Sequence, residues 1–129
     1  MPTAVTTTAT AVTWAIAVGI IFIGARFLWA PQQAAAGFGL PGTGTTDRGS
    51  RAWLSVKGVR DICSGLFLLI VLLGAGSHLR GWMMLAGSLT ALGDALITKF
   101  SGGPATAYYG IHGGTAALMA AAGAVLVLS

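Results

Sequence analysis

Val56-Lys57-Gly58-Val59-Arg60-Asp61-Ile62-Cys63-Ser64-Gly65 sits near the start of an otherwise apolar run, Ala52 to Leu73, that is long enough to cross a bilayer. At 3.6 residues per turn, Lys57, Arg60, Asp61 and Ser64 follow i, i+3, i+4, i+7 and share one narrow helix face. Near a bilayer centre each of the three charges costs roughly 2.5–3.5 kcal/mol on insertion scales. They therefore call for polar partners inside the protein, and the fold has to supply them.

Composition sets the class. Of 129 residues, 55% are hydrophobic and 8% charged, with no Glu. Soluble domains carry about 25% charged residues, because that fraction keeps their surfaces wet. Seven Lys and Arg stand against three Asp, a balance that would suggest nucleic acid in a soluble protein. Three of those cations lie inside apolar segments, so a phosphate-tracking surface is excluded and no nucleic-acid partner is expected. The single cysteine, Cys63, rules out an internal disulfide and a Cys-rich metal site, and reads as a small packing residue.

Outward from that stretch, apolar runs repeat. The first extends from about Ala9 to Ala30 and stops at Pro31; it is too long for a signal peptide, lacks a basic leader and contains Arg26. Residues 31–51 turn to Gly, Thr, Pro, Gln and Ala and read as a loop, with Ala34 to Leu40 either a short interfacial helix or a re-entrant piece. Within it, Phe38 and Leu40 gain little by staying in water and are expected to lie against the mouth of the bundle, with Ala34-Ala35-Ala36 and Gly37-Phe38-Gly39 forming a lid over the polar layer. The second span covers about 52–73, the third about 79–98 after the turn Gly74-Ala75-Gly76-Ser77-His78, and the fourth about 106–128 after Ser101-Gly102-Gly103-Pro104. The backbone in lipid must satisfy its own hydrogen bonds, so the expectation is one all-α domain over 1–129: an integral membrane four-helix bundle, up-down-up-down. Gly110 with Gly114, and Gly87 with Ala91 and Ala95, have the small-residue spacing of close helix packing.

On that topology the polar residues converge. Arg26 falls one turn before the end of the first span, and Lys57, Arg60 and Asp61 fall in the first half of the second. Asp94 lies about a turn from the end of the third, and Tyr108, Tyr109 and His112 occupy the first two turns of the fourth. All lie at the end of the bundle that carries the long loop, roughly 5–13 Å below its surface at 1.5 Å per residue. The other half of the bundle is almost purely apolar.

Each element also has a plain reading. Arg26 and Lys57 can snorkel to headgroups. Arg60 and Asp61 can serve only to lock helices together. His112 can be an interhelical hydrogen-bonder. A carboxylate cannot snorkel far, so Asp94 is expected to pair with a cation of the second span or with Arg26.

The runs Gly24-Ala25-Arg26-Phe27-Leu28, Val56-Lys57-Gly58-Val59-Arg60-Asp61, Gly93-Asp94-Ala95-Leu96 and Tyr109-Gly110-Ile111-His112-Gly113 resemble a bacterial and fungal family of small four-span membrane proteins, catalogued only as a domain of unknown function. The likeness runs from about Val18 to Leu126. It implies a four-helix integral membrane protein whose signature residues are the polar ones just placed, and it implies no activity.

Several chemistries drop out. No Gly-rich phosphate loop, Ser elbow or nucleophile–base motif is present, and one His with two Asp amid surplus cations makes a poor metal site, so neither cofactor nor metal is expected. Counting Arg26, Lys57 and Arg60 against Asp61 and Asp94 leaves one net positive charge, which favours an anionic or polar group. The expected function is to bind the polar end of a membrane lipid or lipophilic small molecule, with Arg26, Lys57, Arg60, Asp61, Tyr108 and Tyr109 holding it. A cofactor-free isomerase or cyclase, with His112 or Asp94 as general acid or base, fits that pocket. The alternative is a non-catalytic lipid-binding or partner-packing protein whose polar cluster is a structural lock. Self-association is compatible with either. Arg48, Arg51 and Lys99 against Arg80 place the polar end at the cytoplasmic side of the cell membrane, with both termini outside.

Overall fold

The Thr-rich amino-terminal segment is helical, and its hydroxyls find partners within the helix. Thr8, Thr10 and Thr13 each donate to the carbonyl four residues back, at 2.8, 2.9 and 2.8 Å, so the hydroxyls are satisfied without water. In the computed structural model, which describes residues 1–42 and 47–129, helix α1 runs Thr3–Trp29, starting six residues before the apolar run expected from about position 9. Pro31 then begins α2 (Pro31–Phe38), a position that suits a residue with no N–H to donate. Helix α2 ends at Gly39 in the left-handed region (φ 94°), which a glycine adopts without strain. The segment expected as loop thus holds a helix in its first half. Its Thr43–Thr46 part lies outside the described residues.

Asp47 caps the next helix by accepting the Ser50 N–H at 3.1 Å, which starts α3 (Arg48–Gly74) four residues before the apolar run at 52. Two residues, Ala75 and Gly76, separate it from α4 (Ser77–Phe100). The last segment is wound in two ways. Thr106–Gly113 is a π-helix, and it continues without a break into α5 (Gly114–Val127). Gly113 permits the wide turn, since a Cβ there would sit 2.8 Å from the Tyr108 carbonyl oxygen. All described regular structure is helical, and two of its segments, Thr3–Trp29 and Thr106–Val127, are long and apolar enough to cross a membrane. Helices α3 and α4 are as long, at 27 and 24 residues, but carry the charges.

Packing follows two glycine seams. Gly24 of α1 and Gly58 of α3 face each other so closely that a Cβ on either would lie 2.6 Å from the other's carbonyl oxygen. Gly81 of α4 and Gly123 of α5 do the same, at 2.6 and 2.9 Å. Without side chains between them, the backbones approach to van der Waals and weak C–H···O contact. The expected small-residue pair of the last span is not a seam: Gly110 has open space around it and Gly114 meets only its own helix, whereas a Cβ on Gly87 would lie 2.8 Å from the Met119 methyl carbon.

Both pairs are antiparallel. They join where α1 meets α5, with the Thr6 and Ser129 hydroxyls 3.0 Å apart at one end. Leu68 and Leu72 from α3 share a buried cluster with Met84, Met119 and Leu126 near that end. Helices α3 and α4, consecutive in sequence, have few points of contact with each other.

Candidate functional site

A cleft of about 400 Å³ fills the gap between α3 and α4. Lys57, Arg60, Asp61 and Ser64 come to it from α3, and Thr90, Asp94 and Ile97 from α4. Those two sets follow helical periodicity: 57, 60, 61 and 64 on one face, and 90, 94 and 97 on the other. Phe27 of α1, with Trp53 and Leu54 of α3, adds an apolar wall.

Phe38 and Leu40, the residues expected against the mouth, line the same cleft, with Phe38 packed against the cluster of Phe27, Ala34 and Ala35. The carbonyl of Phe38 lies 2.8 Å from His112 Nε2, and the two rings are 4.2 Å apart between centroids. With a carbonyl as its partner, Nε2 is the donor. His112 is 7% exposed, so this bond ties the end of α2 to the π segment from within. Backbone winding matters here: the π turns place His112 inward while Ile111 and Gly110 face out.

Within the cleft the charges divide. Lys57 Nζ donates to Asp61 Oδ2 at 2.6 Å, one helical turn apart, and lies over the rings of Phe27 and Phe38 at 4.7 and 4.9 Å. Ser64 turns its hydroxyl to the Arg60 carbonyl at 2.8 Å. These groups satisfy one another. Asp94 does not join them: among the described residues no Lys or Arg comes within 4.0 Å of it, and Lys57 and His112 act on it only through space. The expected interhelical ion pair is absent for a physical reason, namely that α3 and α4 stand apart where Asp94 projects. The Arg60 guanidinium, exposed, is likewise without an ion-pair partner among the described residues.

The remaining site candidates lie elsewhere. Tyr108 and Tyr109 pack edge to face at 4.7 Å, with Lys99 over both rings at 6.0 and 5.8 Å. Arg26 is half-buried near the end of α1, and neither it nor the tyrosines nor His112 lines the cleft. The lining charges are therefore Lys57 and Arg60 against Asp61 and Asp94, which sum to zero and not to the one net positive that includes Arg26. Phe27, Trp53 and Thr90 were not legible as site residues. Thr90 had a signal, since it stands one turn before Asp94 on the same face; apolar walls have none in a chain this apolar.

Among the described residues no group of His, Cys, Asp and Glu could hold a metal ion. A family model described as "Domain of unknown function (DUF4267)" matches residues 17–126. No curated protein and no solved structure matches the chain.

Proposed function

The chain belongs to the DUF4267 family, and we propose that it is a four-span integral membrane protein whose cleft holds the polar end of a lipophilic small molecule. Support for the membrane comes from the outer surface. Trp29, Trp53, Phe100 and Tyr109 lie at one end of their four helical segments and are between 62 and 81% exposed, as an aromatic belt requires. Between the ends, Val18, Phe22, Ile70, Leu89 and Ile97 also face outward. Such a surface is costly in water and ordinary in lipid. Arg48, Arg51 and Lys99 at the aromatic end, against Arg80 at the other, orient that end toward the cytoplasm.

The observation that carries the binding reading is the cleft itself. It lies within the 300–1,000 Å³ range of small-molecule sites, has lining from both α3 and α4, and mixes charged groups with aromatic walls. A molecule resident in the bilayer reaches it laterally, leaving its chain among the lipids and its head beside Asp94 and Arg60. Thr90→Trp fills the cleft from an exposed position. Native mass spectrometry of detergent-purified protein is expected to find a retained amphiphile that the variant loses while its melting temperature holds. Equal retention by both proteins rejects the cleft as the site, and release from membranes in alkaline carbonate rejects the membrane.

The unpaired Asp94 carboxylate favours one second reading: a cofactor-free isomerase or cyclase in which Asp94 takes the proton. His112 is less suited, because its Nε2 is engaged by the Phe38 carbonyl. Asp94→Asn that binds a lipophile but no longer converts it selects this reading.

A further inference from the structure

We propose that the head recognised by the cleft is a zwitterion, with an ammonium against Asp94 and an anionic group against Arg60, and not a simple anion. The inference rests on the reading of the cleft as an amphiphile site and names the class of amphiphile.

The argument is one of which polar groups are already used. Lys57 is already paired with Asp61 at 2.6 Å and lies over the Phe27 and Phe38 rings, so its ammonium has its counter-charge in place. The Ser64 hydroxyl is spent on the Arg60 carbonyl. That leaves Arg60 as a donor and Asp94 as an acceptor, one from each wall, with no ion-pair partner for either among the described residues. A ligand that is only anionic gains from Arg60 and is repelled by Asp94. A cation has the reverse difficulty. A head carrying both charges meets both, and leaves no charge in the cleft unpaired, which in a site this apolar is the decisive economy. Thr90, one turn from Asp94 and exposed, adds a hydroxyl on the same wall.

Geometry gives the orientation. The apolar lining of Phe27, Leu54, Val56 and Ile97 borders the charged groups, so the chain of the amphiphile leaves along α3 and α4 toward the bilayer. A free zwitterion without chains reproduces the charges and forgoes that contact.

The test is competition on the full-length, detergent-purified protein, read by native mass spectrometry with three phospholipids of identical chains. Phosphatidylethanolamine is expected to outcompete phosphatidylglycerol at least fivefold, with phosphatidylcholine, which keeps the positive charge and lacks the N–H donors, in between. Asp94→Asn brings ethanolamine and glycerol heads to within twofold of each other. Arg60→Gln weakens both at least fivefold and leaves their ratio nearer the original. Chain-free glycerophosphoethanolamine at the same concentration does not compete, which separates lipid from free headgroup. A wild-type preference for phosphatidylglycerol, or an ethanolamine preference unchanged in Asp94→Asn, overturns the zwitterion while leaving the cleft as an amphiphile site. Failure of all three phospholipids to bind overturns both.

Discussion

Helices α1 and α3 are separated by α2 and a loop, yet their backbones touch at Gly24 and Gly58; helices α3 and α4 are separated by two residues, yet they stand apart over much of their length. Covalent proximity does not decide which helices pack. The approach distance decides, and approach is set by which side chains are missing from the interface. A seam with facing glycines closes. The α3–α4 seam presents Lys57, Arg60, Asp61 and Asp94 instead, and it opens into a cleft.

The largest expected effect breaks that contrast at its tight side. Gly24→Val puts a branched side chain where the Cβ alone would lie 2.6 Å from the Gly58 carbonyl and 2.8 Å from the Asp61 Cβ, and backbone cannot yield there. A loss of about 3 kcal/mol or more is expected, a drop of roughly 10 °C in melting temperature, measured by scanning fluorimetry in detergent. A drop of less than 2 °C means that the two helices do not meet at those glycines.

Next in size is the ion pair that lines the open seam. Asp61→Asn leaves Lys57 among aromatic rings without its counter-charge, at a cost of about 2 kcal/mol. Asp94→Asn removes a carboxylate with no ion pair to lose, so it is expected to shift the melting temperature by less than half as much. The reverse order would place Asp94 in a network after all.

His112→Ala tests the closure of the lid end. It removes the donor to the Phe38 carbonyl, worth about 1 kcal/mol. Hydrogen exchange over Pro31–Phe38 is expected to quicken while α1, α3 and α4 keep their protection. Unchanged exchange in α2 means that the bond does not hold the lid. Smallest of all is Gly110→Ala, where nothing lies within 4 Å; its melting temperature is expected to stay within about 2 °C of the wild type.

These contrasts mark what the sequence made legible. Runs of apolar residues broken by Gly and Pro gave the long helices, because both signals are local. The charged layer was legible for the same reason, since Lys57, Arg60, Asp61 and Asp94 are conspicuous in an apolar chain and their depth follows from helix rise. Phe38 as lid followed from an apolar residue in a polar segment. Pairing was not legible. Twenty glycines offer many possible seams, and nothing local says that position 24 meets 58, or that 81 meets 123. The π winding of Thr106–Gly113 was hidden as well, because its residues are ordinary for a helix and only Gly113 explains the wide turn. Asp94 was expected to find a cation because a lone carboxylate among packed helices must. Helix α4 packs on α5 and the π segment but scarcely on α3, and so the premise failed on the side of the cleft.

The two-residue turn Ala75–Gly76 has a mechanical meaning. It pins α3 and α4 together at one end, where Leu68, Leu72 and Met84 also share buried contacts, and at the other end the bond from His112 to the Phe38 carbonyl ties the two halves through α2. The pair is a set of compasses with legs roughly 35 Å long. Around such a pivot, a swing of about ten degrees moves the far tips by roughly 6 Å and the pivot hardly at all, on that leg length. A change of that kind is a small angle multiplied by distance; it would disturb neither glycine seam if each leg carried its own partner helix with it, and the bond from His112 to the Phe38 carbonyl opposes it. The leverage also runs backward: anything lodged beside Asp94, partway along the legs, would set the spread of the tips.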